Sequence, residues 1–179
     1  MKQIYLVRHC QATGQESDAP LTPSGKRQAE QLAEFFRDRP IDRILSSPFL
    51  RAVDTVTPLA GQRGLSIEQD ERLVERVLSA QPMTDWYERL RATFDDLTLQ
   101  YEGGESSRTA MDRVNLLLAE VLESEHRHIL LVSHGCLLAL LMKSIDDCIG
   151  FAEWEALSNP DVYQLTVADS SRQLHRIWK

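Results

Sequence analysis

The sequence predicts an α/β fold: a three-layer α/β/α arrangement with a mostly parallel central sheet, an antiparallel edge strand and a small cap insertion. Three observations carry this expectation. Ile4–Val7 and Ile129–Val132 are short apolar runs without alternation, as strands buried on both faces of a parallel sheet require, and Ile41–Leu45 between them reads as another strand. Stretches with apolar residues at helical spacing separate them, so strand and helix alternate along the chain. Near the end, Tyr163, Leu165 and Val167 alternate with polar residues, which is the period of a half-buried antiparallel strand.

Each element follows from local chemistry. After the first strand, Thr22 is an N-cap with Pro23 at the first helical position, and Ala29, Leu32, Ala33 and Phe36 repeat at helical spacing to about Asp38. The second strand, Ile41–Leu45, leads through Ser46-Ser47-Pro48 into a helix with the stripe Phe49, Ala52, Val53, Val56 and Leu59, which Gly61 to Gly64 ends. A third short strand is expected near Leu65–Glu68. From Arg72 to Gly104 the pattern is irregular, with a helix from Thr84 to Leu97 presenting Trp86, Leu90, Phe94 and Leu97 on one face. Past the Gly103-Gly104 break, Met111, Val114, Leu118 and Val121 mark another helix; Ile129–Val132 follows as a strand and Gly135–Ile145 as its helix. A hairpin closes the chain, turning at Asp169-Ser170-Ser171 and returning through Leu174 to Trp178.

At 179 residues the chain is expected to be one domain over 1–179 with its cap at about 76–104, large enough for a core without staples. Lys and Arg number 20 against 27 Asp and Glu, a net charge of −7 that disfavours nucleic acid or an acidic membrane as the main partner. Three cysteines, Cys10, Cys136 and Cys148, without CxxC spacing, argue against a disulfide framework or a structural zinc module. With no targeting segment and no apolar run of spanning length, a soluble cytoplasmic protein is expected.

In sheets of this kind ligands bind beyond the carboxyl ends of the strands, near the N-termini of the following helices. Two histidines occupy equivalent strand ends, in Arg8-His9-Cys10 and Ser133-His134-Gly135, and Arg51 sits on the first turn of a helix reaching the same edge. A lone strand-end histidine is usually structural and a lone helix arginine usually solvated, but four such groups converging point to a site. Two guanidinium forks match phosphate oxygens, helix N-termini add N–H groups, and an imidazole can attack. Cys10 and Cys136 beside the histidines raise a His2Cys2 metal site as an alternative, which two arginines in the same cluster would oppose.

Leu6-Val7-Arg8-His9 with Gln11, Leu21-Thr22-Pro23-Ser24-Gly25 with Gln28 and Ala29, and Ser46-Ser47-Pro48 with Arg51, Ala52 and Thr55 resemble the histidine phosphatase superfamily, the phosphoglycerate-mutase-like proteins. Leu73-Val74-Glu75, Gly104-Glu105-Ser106 and Ser133-His134-Gly135 are similar to its remaining blocks, so the resemblance spans nearly the whole chain. It implies His9 as nucleophile, Arg8, Arg51 and a protonated His134 as phosphate pocket, and Glu75 as proton donor. Gly135 and the loop residues Thr13, Gly14 and Gln15 are further expected phosphate contacts. The chain departs from the family at Cys10, where Gly or Ala is usual, and in that loop, where Ala12 and Gln15 replace the usual hydroxyl and asparagine.

The residues and the resemblance together predict a phosphomonoester hydrolase working through phosphohistidine on a phosphorylated metabolite or a phosphoprotein, with neither metal nor other cofactor. A phospholigand-binding regulatory protein with little turnover, or a phosphomutase, is the alternative. The short segment from Arg76 to Gly103 favours water as acceptor, since the family's mutases look longer there. Specificity is expected after Glu75, where Arg76, Trp86, Tyr87 and Arg91 could line the pocket mouth, although a helix-facing tryptophan is more often core. Oligomeric state and physiological substrate are not legible.

Overall fold

A computed structural model describes residues 1–168 and 171–178. Six strands form one sheet: β1 (Lys2–Arg8), β2 (Arg43–Ser46), β3 (Ile67–Gln69), β4 (His128–Ser133), β5 (Asp161–Ala168) and β6 (Ser171–Arg176). Their order is β3-β2-β4-β1-β5-β6; the first four are mutually parallel, and β5 and β6 run antiparallel at one edge. The antiparallel edge is thus two strands wide. The expected turn residues Asp169 and Ser170 lie outside the described residues.

Alternation within the central strands feeds two cores. Tyr5, Val7, Leu130 and Val132 pack with Leu32, Ala33 and Phe36 and with Val56 and Leu59, under α1 (Pro23–Phe35) and α2 (Leu50–Arg63). Ile4, Leu6, Ile129 and Leu131 face the other way, toward α4 (Ser107–Glu123) and α5 (Gly135–Ile145). Both faces of the sheet are covered, which gives the three layers the apolar runs require. α3 (Trp86–Asp95) buries Leu90 and Phe94 in the second core, and a short α6 (Phe151–Glu155) completes that side.

Boundaries follow the caps. The Thr22 hydroxyl accepts the N–H of Gly25 at 2.9 Å to open α1, and Gly64, at φ 65°, closes α2 in the left-handed conformation that glycine adopts without strain. α1 stops at Phe35, short of Asp38, and α3 is shorter at both ends than its periodicity predicts. β2 starts two residues late, at Arg43, and β3, at Ile67–Gln69, starts two residues later and ends one later than expected. The expected helix start at Ser46-Ser47-Pro48 is corrected: Ser46 still pairs in β2, and α2 begins at Leu50 behind Phe49, with no side-chain cap. α6 was not expected; five residues are too few for a periodic signal.

Candidate active site

Register brings the strand ends together. Arg8 closes β1 opposite Ser133 of β4, and the His9 N–H donates to Ser133 O at 3.0 Å. His9 and His134 therefore leave neighbouring strands side by side, ring centroids 5.1 Å apart. On the other flank of β4, the Ser47 N–H donates to Val132 O at 2.9 Å, so the chain leaving β2 passes the same edge before α2 presents Arg51.

His9 has distinct roles on its two ring nitrogens. Nδ1 lies 2.7 Å from Cys10 O, which can only accept, so Nδ1 carries the hydrogen and Nε2 the lone pair. Arg51 Nε donates toward that Nε2 at 3.3 Å. Burial, with Arg51 and Arg8 adding repulsion, lowers the His9 pKa to about 4, so the ring is neutral at physiological pH. Arg51 is 1% exposed and anchors itself through Nη1 to Gln15 O and Glu16 O, at 3.1 and 2.7 Å. Arg8 donates through Nη1 to Leu157 O at 2.8 Å, while its buried Nε has no partner among the described residues.

His134 is buried too, its Nε2 2.8 Å from the Ser47 hydroxyl and its Nδ1 without a partner among the described residues. Here the expectation of a protonated ring is corrected. Desolvation, together with repulsion from His9, Arg51 and Arg8, holds its pKa well below the ordinary value, so the permanent positive charge resides on the arginines.

Glu75 leaves the short 3-10 turn Glu71–Leu73 behind β3 and turns its carboxylate onto the start of α5. Oε1 accepts from the N–H of Leu137 at 2.9 Å and of Arg76 at 2.8 Å, and Oε2 from the N–H of Cys136 at 3.1 Å. Gly135 opens that helix beneath Arg8: a Cβ there would meet the Arg8 guanidinium at 3.1 Å. Asn159, which sequence reasoning missed, donates from Nδ2 to His9 O at 2.7 Å.

A cavity of about 750 Å³ opens over this edge, lined by Arg8, Gln15, Phe49, Arg51, Glu75, Gly135 and Cys136 and by the cap residues Arg76, Val77, Leu78, Trp86 and Leu90, with Trp154 from α6. A smaller recess of about 130 Å³ shares Arg8, Gln15, Glu75 and Gly135 and adds His9, Gly14 and Asn159. Thr13 stands apart from both: its hydroxyl is donated to Pro20 O at 3.3 Å. Trp86, expected either at the pocket mouth or in the core, is 49% exposed at the cavity rim. Neither cysteine turns toward a cation site. Cys10 is enclosed by Leu21 and Ala29, Cys136 Sγ faces Arg76 Nη1 at 3.9 Å, and among the described residues no cluster of His, Cys, Asp or Glu has metal-holding geometry.

The model of the histidine phosphatase superfamily (branch 1) matches residues 4–178. The chain belongs to that superfamily. A Salmonella choleraesuis protein named "Probable phosphoglycerate mutase GpmB" is 34% identical over 170 residues, covering 86% of this chain and 78% of the relative. A mycobacterial glucosyl-3-phosphoglycerate phosphatase, solved with inorganic phosphate, superposes with a TM-score of 0.80 at 31% identity over 99% of this chain and 96% of its own. A structure titled mycobacterial hydrolase 1 gives 0.80 at 29% identity, over 99% and 97%. The histidine phosphatase fold therefore accounts for the sheet order and both cores, and its relatives include phosphatases and phosphoglycerate-mutase-like proteins. No described helix is long and apolar enough to cross a membrane.

Proposed function

We propose that this histidine phosphatase homologue hydrolyses phosphomonoesters through a phosphohistidine on His9. The observation that carries the reading is the His9 ring, held neutral with Nδ1–H on Cys10 O, so that the Nε2 lone pair lies beside Arg51. Nε2 attacks phosphorus, an N–P bond forms and the ester P–O bond breaks; the departing alkoxide takes a proton from Glu75. Water then attacks the phosphohistidine, Glu75 takes its proton back, and phosphate leaves with His9 regenerated. Phosphoryl transfer asks mainly for positioning and for positive charge around the equatorial oxygens, which Arg8 and Arg51 supply. His134, hydrogen-bonded through Nε2 to Ser47, presents its unpartnered Nδ1 as a further group for phosphate oxygen, and a bound dianion would offset the repulsion that keeps the ring neutral. The scheme calls for no metal or organic cofactor. Its substrate is a phosphorylated small molecule or a phosphoprotein, and the cytoplasm is the compartment it suits.

Hydrolysis of an aryl phosphate by wild type and His9→Ala, each with a chelator present, tests the assignment. Wild type should turn over with the chelator, and the variant should lose nearly all activity; a variant that keeps it removes His9 as nucleophile. The mutase-named relative favours a second reading, transfer to an alcohol instead of water. Free phosphate matching alcohol in the steady state supports the hydrolase, and isomerised phosphoester without free phosphate supports the mutase.

A further inference from the structure

Ser47 takes no part in the reaction itself, yet its hydroxyl fixes what His134 can do. Ser47 is completely buried and His134 is 1% exposed. The serine is pinned to the strand that carries the histidine, its N–H donating to Val132 O at 2.9 Å. Among the described residues its Oγ has two partners: it accepts the N–H of Phe49 at 3.3 Å and lies 2.8 Å from His134 Nε2. A main-chain N–H only donates, so the hydroxyl hydrogen has one acceptor in reach, the Nε2 lone pair. With the hydroxyl donating, Nε2 is bare and the ring hydrogen sits on Nδ1, because the bond made at one imidazole nitrogen settles the other. A doubly protonated ring, or the Nε2–H tautomer, would turn a second hydrogen onto Ser47 Oγ and leave a buried hydroxyl without an acceptor, which is unfavourable. Packing holds the ring in place, with the His9 and Phe49 rings edge-on to it, each at a centroid distance of 5.1 Å. Nδ1 itself meets no acceptor among the described residues. A buried N–H left open beside the His9 ring is a donor whose acceptor a ligand must bring.

We propose, resting on the phosphomonoesterase reading, that Ser47 is a positioning residue: it selects the Nδ1–H tautomer of His134, which then meets the oxygens of the transferring phosphoryl group as a directed hydrogen-bond donor. The contact is with the phosphoryl group and not with the alcohol, so its loss should weigh equally on every ester.

NMR of the whole protein, labelled at the histidine ring nitrogens, reads the tautomer directly, His134 being assigned by the signals that vanish in His134→Asn. At neutral pH the wild type should show a protonated Nδ1 and a bare Nε2 on this ring. Histidine in water favours Nε2–H, so Ser47→Ala should shift the ring toward that form. The same variant should lose about tenfold to a hundredfold in kcat/KM, the worth of one hydrogen bond to a charged group, and equally on aryl and alkyl phosphates. A pair of amides checks the aim: asparagine carries its donor where Nδ1 stands and glutamine where Nε2 stands. His134→Asn should therefore keep about tenfold more kcat/KM than His134→Gln. A protonated Nε2 in wild type, a tautomer that Ser47→Ala leaves unmoved, or a glutamine variant as active as the asparagine one overturns the inference. If no ester is hydrolysed, the hydrolase reading fails by itself, and the spectra decide together with vanadate as probe: its affinity should fall in Ser47→Ala by the same factor, and an unchanged affinity overturns the role of Ser47. Should Ser47→Ala lose its cooperative thermal transition, the wild-type spectrum and the two amide variants decide.

Discussion

A histidine that attacks phosphorus needs one nitrogen protonated and tied so that the other keeps its lone pair, and a single main-chain oxygen, that of Cys10, fixes this tautomer for His9, with Nε2 facing Arg51 Nε. Glu75 is set with comparable economy, three N–H groups fixing both its oxygens. Its role predicts a selective defect. Glu75→Gln should slow alkyl phosphates by about 10²–10⁴, the usual contribution of a general acid, and aryl phosphates, whose leaving groups need little protonation, far less. Equal losses on both, measured as kcat/KM, would remove Glu75 as the acid. Cys10 resolves differently from its surroundings in sequence. Arg8 and His9 next to it point to a reactive thiolate, yet the side chain is fully buried and burial pushes its thiol up to about 11. Mild peroxide should therefore leave activity intact. Thiol-reversible inactivation that vanishes in Cys10→Ala would contradict this. Cys10→Gly, expected from the family's usual residue to preserve turnover, removes packing against Leu21 and Ala29 and should lower stability by about 1–2 kcal/mol in denaturant titrations.

At the scale of elements, the start of α5 supports three groups at once: Gly135 beneath Arg8, and the N–H groups of Cys136 and Leu137 on Glu75. Gly135→Ala would press a methyl on a guanidinium already tied to Leu157 O, and misplacing it by a few tenths of an ångström should reduce kcat/KM by about tenfold. An unchanged kcat/KM in a variant of unchanged Tm would show that Arg8 can yield. Glu75 also depends on α4, whose Arg113 pairs with Glu105 through Nε and Nη2 and donates to Arg72 O and Val74 O. This clamp joins both ends of the cap segment; Glu105 stands in the Gly104-Glu105-Ser106 block, whereas Arg113 shows no sequence pattern beyond a charged residue on a helix. Strands and the main helices were legible because burial on a sheet imposes a period. Trp86 was legible only as one of two alternatives for the same reason: helical spacing says that Trp86 and Leu90 share a face, not that the first turn of α3 looks onto a cavity. Ser47 reads as a helix cap in sequence and is instead the partner of His134, a contact between residues 87 apart that no local pattern carries.

Over the whole molecule, the central feature is positive charge and neutral imidazole buried at one sheet edge of an acidic protein. Arg8, Arg51, His9 and His134 were legible together because parallel strands deliver their carboxyl ends to one place. Arg76 was legible only as a rim residue, since its burial depends on Thr93, Glu105 and Cys136 converging from separate elements. Such a site makes stability depend on pH with a definite sign. His9 titrates at about 4 in the folded chain and near 6.5 when unfolded, so below about 6.5 the unfolded chain binds a proton that the folded chain refuses. Stability contributed by neutral His9 is therefore complete above that value and lost as pH falls toward 4; by pH 5 the loss is about 2 kcal/mol. His134, shifted the same way, adds to it. The unfolding free energy should accordingly drop between pH 7 and pH 5, and His9→Gln should show a shallower drop than wild type. Phosphate or vanadate, bound between Arg8 and Arg51, should raise Tm at both pH values through preferential binding to the folded state. A wild-type unfolding free energy that is flat from pH 7 to pH 5, or a slope identical in His9→Gln, would mean that His9 takes up its proton in the folded protein, and with that the neutral nucleophile at the centre of the proposed chemistry would be lost.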